Sequence, residues 1–529
     1  VRHDRPVFDC IVAGAGHNGL VTAAYLSRAG YRVLVLEAAD RVGGAAISAE
    51  VFPGISARLS KYSYLVSLLP RRIIEDLEIE VPLARRSIAS YTPDPTKPDR
   101  GLLIPSNDET ELRTRITEFT GRSDQADAWL DFYARTEKLA LVMFPSLLEP
   151  LVSREQMQAR VSPEDWRDFV ERPLGEVIEA TFDDDVLRGI VFTDALIGTF
   201  ASAHDSSLHQ NICFAYHVIG QGTGQWDVPV GGMGAITAQL ADRVLEAGGE
   251  IRTSTEVTAI DEVGGHFAVT AITSGEQATW ETRTVAAGFA PAVLDRLRGR
   301  VSAPIDDLAG GAQVKVNMLL SRLPRLRDEH VPPQDAFAGT FHINEGYDQL
   351  DVAYLEAASG RLPAPLPAEV YCHSLTDPSI LGEDLRAQGA HTLTLFGLHA
   401  PHSLFAGPGA PSKADVITAV ERTLDSVLAE PIADCLMRDV NGQPCIEVNT
   451  TTDLERDLRI PTGNIFHTPL SWPWASNAGE VGSWGVETDS SGLAICGSGA
   501  VRGGGVSGIP GHNAAKYLES VLLSEGGDI

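Results

Sequence analysis

The chain opens with an apolar strand, a glycine turn and a helix start: Phe8-Asp9-Cys10-Ile11-Val12-Ala13, Gly14-Ala15-Gly16-His17-Asn18-Gly19, then Leu20. A second apolar run, Val33-Leu34-Val35-Leu36, closes on Glu37. This is G-x-G-x-x-G in a β-α-β frame, with an acid ending the second strand. Gly14, Gly16 and Gly19 permit the tight turn, the close approach of backbone to a pyrophosphate and a helix N-terminus aimed at its charge. Glu37 is placed to accept hydrogen bonds from an adenosine ribose, and an acid there disfavours a 2′-phosphate. His17 and Asn18 lie inside the turn and shape it. The expectation is a dinucleotide held on a Rossmann-like α/β lobe.

Asp40-Arg41-Val42-Gly43-Gly44 follows at once, and a second glycine-dense loop runs from Gly497-Ser498-Gly499 to Gly503-Gly504-Gly505-Val506-Ser507-Gly508. At 529 residues the chain is too long for one ordinary core. Hydrophobic content of 43% and charged content of 21% are those of a globular protein. The 42 basic against 71 acidic residues give −29, which argues against nucleic acid or anionic headgroups as bulk electrostatic partners. A local hydrophobic patch could still touch a membrane, and an oligomer stays open. No run is apolar enough for a transmembrane helix. Val1-Arg2-His3-Asp4 holds no apolar stretch, so no signal peptide is expected in the chain as given. The six scattered cysteines form no C-x-x-C, and Cys10 and Cys496 lie in strand-like runs. Reduced, buried thiols in a cytoplasm are the expectation, with no metal site.

The nucleotide lobe is expected from residues 1–65, 225–300 and 455–529. A substrate lobe of mixed sheet and helix is expected from 66–224 and 301–454. Residues 66–224 read as mainly helical, with apolar residues at three- and four-residue spacing around Ile73, Trp129 and Val177. The apolar segment Leu139 to Leu151 reads as a core helix, with a lipophilic entrance as its alternative. Strands are expected over Thr255–Ile260, Phe267–Ile272 and Val314–Leu320. Asp183-Asp184-Asp185 reads as a helix start.

GAGHNGLVTAAYLSRAGYRVLVLEAADRVGGAA and CGSGAVRGGGVSGIPGHNAA resemble the two ends of phytoene-desaturase-like flavoproteins. GGMGAI with AGGEIRTSTEVTAI between them is similar to the same family. The branch it resembles includes the pyridine nucleotide-disulfide oxidoreductase domain-containing proteins. The resemblance implies FAD. Gly14, Gly16 and Gly19 would then wrap the pyrophosphate, with Glu37 and the adjacent Ala38 at the ribose. Arg41, Gly43 and Gly44 would pass the ribityl chain and flavin edge, and Val257 would read the adenine through its backbone. Gly497, Gly499, Gly505, Val506 and Ser507 would cross the pyrophosphate and start a helix beneath the ring. No second nucleotide module is visible, so reduction by substrate and reoxidation by oxygen, a quinone or another acceptor are expected.

Such a flavin takes hydride from carbon in a dry pocket. Residues expected to line it are Tyr62, Tyr64, Trp226, Lys315, His467, Trp472, Trp474 and Trp484. Lys315 stands where amine-oxidase relatives can carry a lysine near the ring; its alternative is a strand-face lysine reaching solvent. His467 precedes the terminal loop, and the three late tryptophans suggest an aromatic wall. His399-Ala400-Pro401-His402 is too short a pattern for a metal site. The first expectation is C=C formation in a hydrophobic or cyclic substrate. Amine oxidation, redox-neutral isomerisation and a non-catalytic lipid-binding relative are the alternatives.

Overall fold

A computed structural model describes residues 8–222, 226–302 and 310–526. The opening residues Val1–Asp4 and the expected lobe boundary between 224 and 225 lie outside the described residues.

Two seven-stranded sheets carry the fold. In the first, Phe8–Ala13 lies between Val33–Leu36 and Glu276–Ala287, parallel to both. Glu250–Arg252 extends one side, and Leu493–Ile495 adds in parallel to Glu276–Ala287. His266–Thr273 pairs antiparallel with the first half of Glu276–Ala287, and Thr255–Val263 pairs antiparallel with His266–Thr273 in turn. The parallel strands read as unbroken apolar runs because both faces are covered. Cys10, Val12, Val33 and Val35 pack toward helix His17–Arg28, whereas Ile11, Leu34 and Leu36 join Val269 and Val285 on the opposite face. Helix Ile509–Gly526 lies so close on His17–Arg28 that Thr22 Oγ1 donates to Gly511 O at 2.9 Å.

The second sheet runs Ile446–Asn449, Val314–Leu320, His391–Gly397, Ala368–Tyr371, Thr340–Ile343, Ile88–Asp94, Lys97–Pro105. Every neighbouring pair is antiparallel except Thr340–Ile343 with Ile88–Asp94. Residues 66–224 are therefore not simply helical. Helices Arg71–Asp76, Ser123–Ser146 and Leu174–Thr181 form where the periodicity predicts. Ile88–Asp94 and Lys97–Pro105 instead make a strand pair at the sheet's edge, where Pro93 and Pro105 can be tolerated. Asp184 caps helix Asp185–Thr193, accepting from Val186 N and Leu187 N.

The segment Leu139–Leu151 is core. Leu139, Ala140, Met143, Leu147, Leu148 and Leu151 are buried, while Leu141 is exposed. Among the described residues no helix is long and apolar enough to cross a membrane. All six cysteines are free and buried, and burial pushes the Cys10 and Cys496 thiols up to about 12. Arg502, also buried, donates to Ser146 O at 3.0 Å, to Glu149 O and to Trp484 O at 2.6 Å. It binds the terminal glycine loop to the end of helix Ser123–Ser146.

The expected tryptophan wall is not part of the site. Trp474 stacks on Trp472 at 4.8 Å and meets Trp166 at 5.1 Å, all within the helical core. Trp484 faces His512. Proximity in sequence to the terminal loop does not bring these rings to its inner side. Trp474→Ala should cost about 3–5 kcal/mol of stability in denaturant unfolding, yet leave cofactor content unchanged in the folded fraction.

Candidate functional site

A cavity of about 1110 Å³ runs from the glycine turns of the first sheet to the face of the second. It is larger than the usual single-ligand pocket of about 300–1,000 Å³, as a dinucleotide plus a substrate requires.

At the first end, Gly14 adopts φ +102°, in the region that favours glycine. A Cβ on Gly19 would fall 2.1 Å from Gly14 O, so the helix can begin this close to the turn only with glycine there. Helix His17–Arg28 starts without a side-chain cap, leaving its first amide groups for a ligand. A Cβ on Gly16 would meet no protein atom within 4 Å; the space belongs to the cavity. Glu37 accepts from Ala15 N at 2.7 Å and Ala39 N at 2.8 Å, which fixes its carboxylate at the cavity wall. Ala38, Arg41, Gly44 and Val257 line the same end, as do Gly497, Gly505 and Val506 of the terminal loop.

Three predicted cofactor residues act from behind the wall. Gly43 N donates to Ala15 O at 2.8 Å, holding the second turn against the first. A Cβ on Gly499 would stand 2.6 Å from Pro291, so that glycine serves packing. Ser507 Oγ accepts from Ile509 N at the start of the last helix. None of the three lines the cavity.

Toward the second sheet, His17 Nε2, Asn18 Oδ1 and His467 Nδ1 are buried without a hydrogen-bond partner. Unpaired buried polar atoms are costly unless a ligand or water satisfies them. Burial lowers both imidazoles to about 4, so they are neutral. His467 is not a satisfied core histidine. Tyr62, half-buried beneath Lys61 Nζ at 5.2 Å, also lines the cavity.

Lys315 does not reach solvent. It is buried in mid-strand, donates from Nζ to Ser60 O and lies 5.0 Å over the Tyr64 ring. Burial lowers it to about 7, against the pull of Glu447. Lys315 pairs in register with Phe396, Phe396 with Glu369, and Glu369 with His342. One cross-strand row of the second sheet thus forms the inner wall, and all four residues line the cavity.

The far end of that row is acidic. Tyr371 Oη donates to Glu369, and His342 Nδ1 lies 2.5 Å from a Glu345 oxygen. Ligand atoms of His342, Glu345 and Glu369 all lie within 4.8 Å of one another. Burial, with Glu345 nearby, pushes Glu369 up to about 7, and burial raises Glu345 well above the usual range. Asp194, also raised by burial, lies 3.2 Å from His217 Nε2, and His217 stacks on Trp226 at 4.5 Å. His217 is lowered to about 3 by burial and so leaves the carboxyl without a cation.

Sequence reasoning missed Glu369, His342, Glu345, Asp194 and Arg86. Thr340-Phe341-His342-Ile343 and Ala368-Glu369-Val370-Tyr371 alternate in strand fashion, and polar residues on one face of such strands ordinarily read as solvent-facing. Here that face lines the cavity.

A family model described as flavin containing amine oxidoreductase matches residues 19–348. The chain belongs to that family. This flavoenzyme is 50% identical to protein Rv0897c of Mycobacterium tuberculosis, over 99% of this chain and 98% of the relative. It is 30% identical to the rat pyridine nucleotide-disulfide oxidoreductase domain-containing protein 2, over 97% and 94% of the two chains. Its fold is similar to that of putrescine oxidase bound to putrescine, with a TM-score of 0.55 at 16% identity, covering 98% and 99% of the chains.

The family's cofactor is FAD, and the site fits it. The uncapped helix and Gly16 would hold the pyrophosphate, Glu37 the ribose and the strand at Val257 the adenine. His17, Asn18 and His467 would gain the partners they lack. Bound there, FAD supplies a two-electron acceptor for carbon-bound hydrogen.

Gly16→Val should fold but lose FAD, because the added methyl groups meet ligand space and not protein. Flavin absorbance after gel filtration, with unchanged circular dichroism, checks this. Lys315 titrates near 7 in the fold and at an ordinary 10.5 when unfolded. Between those values the unfolded chain binds the extra proton, so rising pH favours the folded state. Lys315→Met should therefore raise the unfolding temperature most below pH 7, with the gain shrinking toward pH 10.

Proposed function

We propose that this flavoenzyme takes hydride from the carbon beside nitrogen in a small polar amine. The observation that carries the reading is the inner wall: Lys315, Glu369 and His342 in one row, with Asp194 facing the same cavity. An apolar polyene would strip water from these groups and offer no hydrogen bond in return, at a cost of about 1–3 kcal/mol for each group left unpaired. The C=C-forming reaction expected first from the phytoene-desaturase-like resemblance thus becomes the second reading. What favours it is the aromatic cluster of Tyr64 with Tyr371 at 4.8 Å and Phe396 at 6.0 Å, apolar surface suited to a cyclic body. Oxygen or a quinone would reoxidise the flavin in either case.

Anaerobic titration separates the two. Small primary and cyclic amines should bleach the flavin absorbance, and cyclic alkene precursors without nitrogen should leave it unchanged. The opposite pattern would replace amine oxidation with desaturation.

A further inference from the structure

The cavity is open at its adenosine end, and the charge there is of the wrong sign for its cofactor. Asp40, Arg41, Arg456, Asp457 and Arg459 line this end and are exposed. FAD brings a dianionic pyrophosphate to a chain of net charge −29. Glu37 and Glu256 line the same end. Like charges gathered at one mouth weaken binding unless a cation is held among them.

Arg41 and Arg456 pair with carboxylates close to them in sequence. Arg41 lies 3.8 Å from Asp40, and Arg456 lies 2.8 Å from Asp453 and 2.7 Å from Asp457. Arg459 instead reaches Glu256, 203 positions away, with both ends of its guanidinium. Nη2 donates to Oε2 at 2.9 Å, and Nη1 donates to Oε1. The two partners stand on separate supports. Glu256 lies in Thr255–Val263 of the first sheet, one residue before Val257. Arg459 ends helix Thr451–Leu458, which follows Ile446–Asn449 of the second sheet.

That helix is mounted so as to hold Arg459 in place. Thr450 and Asp453 form a capping box at its start, and Asp453 also pairs with Lys413 Nζ at 3.0 Å. At its end Arg459 adopts φ +57°, a left-handed conformation unfavourable for a residue with a side chain. The ion pair fixes this turn. The hydrogen bond to Glu256, then the charges of Glu256 and Glu37, hold the guanidinium above its ordinary value.

We propose that Arg459 and Glu256 form a clasp across the adenosine end of the cavity and so retain FAD. Arg459 does two things there: it ties the second sheet to the first, and it neutralises the carboxylates beside the cofactor. This site is separate from the glycine turns that take the pyrophosphate. Release of FAD requires the pair to part, so release is the step it slows. The inference holds whichever substrate donates the hydride.

The test follows FAD release from the loaded protein, read as recovery of free-flavin fluorescence after dilution into low-salt buffer. Arg459→Ala should speed release roughly two- to five-fold, as expected for breaking an exposed ion pair. Glu256→Gln should speed it less, because it also removes a negative charge from the cofactor's surroundings. The double variant should release FAD no faster than Arg459→Ala, since each residue acts through the other. Arg459→Gly, which relieves the backbone, should behave like Arg459→Ala, and Arg459→Lys should recover part of the retention. Salt at about 1 M should shrink the difference between wild type and Arg459→Ala.

Equal release from wild type and Arg459→Ala at low salt would overturn the inference. Wild-type release from Arg459→Gly would overturn it too, by tracing the alanine effect to backbone strain. Additive effects of Arg459→Ala and Glu256→Gln would do the same, because the residues would then act separately. The lysine variant and the salt series read the same clasp without truncating the side chain.

Discussion

The buried guanidinium of Arg502 ties together parts of the chain that sequence separates widely. Its loop lines the cavity through Gly504, Gly505 and Val506, yet its own hydrogen bonds go to Ser146 O, Glu149 O and Trp484 O. Ser146 O ends the long helix Ser123–Ser146 and Glu149 O lies in the turn just after it, where the helix's C-terminal dipole end favours a positive charge. No carboxylate is needed beside it, and burial lowers the arginine only to about 10, so it stays charged. Because this contact anchors Arg502, the neighbouring Gly504, Gly505 and Val506 are held at the cavity wall. The helical insertion is thus part of the support for the cofactor loop.

The site arises where two sheets of different construction meet. The parallel sheet ends in turns and helix N-termini that present backbone amides, which suits a pyrophosphate. The antiparallel sheet presents one row of side chains, which suits a substrate of defined chemistry. Burial acts on that row in opposite directions, lowering Lys315 and raising Glu369, each to about 7. A desolvated lysine and a desolvated acid thereby share one cavity without forming an ion pair.

The parts legible in the sequence were those whose chemistry is local. The glycine turn, Glu37, the Asp184 cap and the strand around Lys315 each follow from residues a few positions apart. Two kinds of error came from the same limit. Trp474 stands near the terminal loop in sequence but packs against Trp166 on a distant helix. Glu369 and His342 look like the outward face of short strands, because alternation reports that a face differs and not what covers it. Ile88–Asp94 and Lys97–Pro105 fell inside a stretch read as mainly helical, whereas they pair at the sheet edge, which accommodates Pro93 and Pro105.

By itself the sequence determined that a dinucleotide would be held, and it pointed to Gly14, Gly16, Gly19 and Glu37, which line one end of the cavity. Those features depend on backbone conformation and on spacing along one β-α-β unit. Only the tertiary structure decided what shares the cavity with that cofactor. Lys315, Phe396, Glu369 and His342 come from four strands and become neighbours through cross-strand register alone. Register is fixed by which faces are buried when the lobes close together, and no short stretch of chain carries that information.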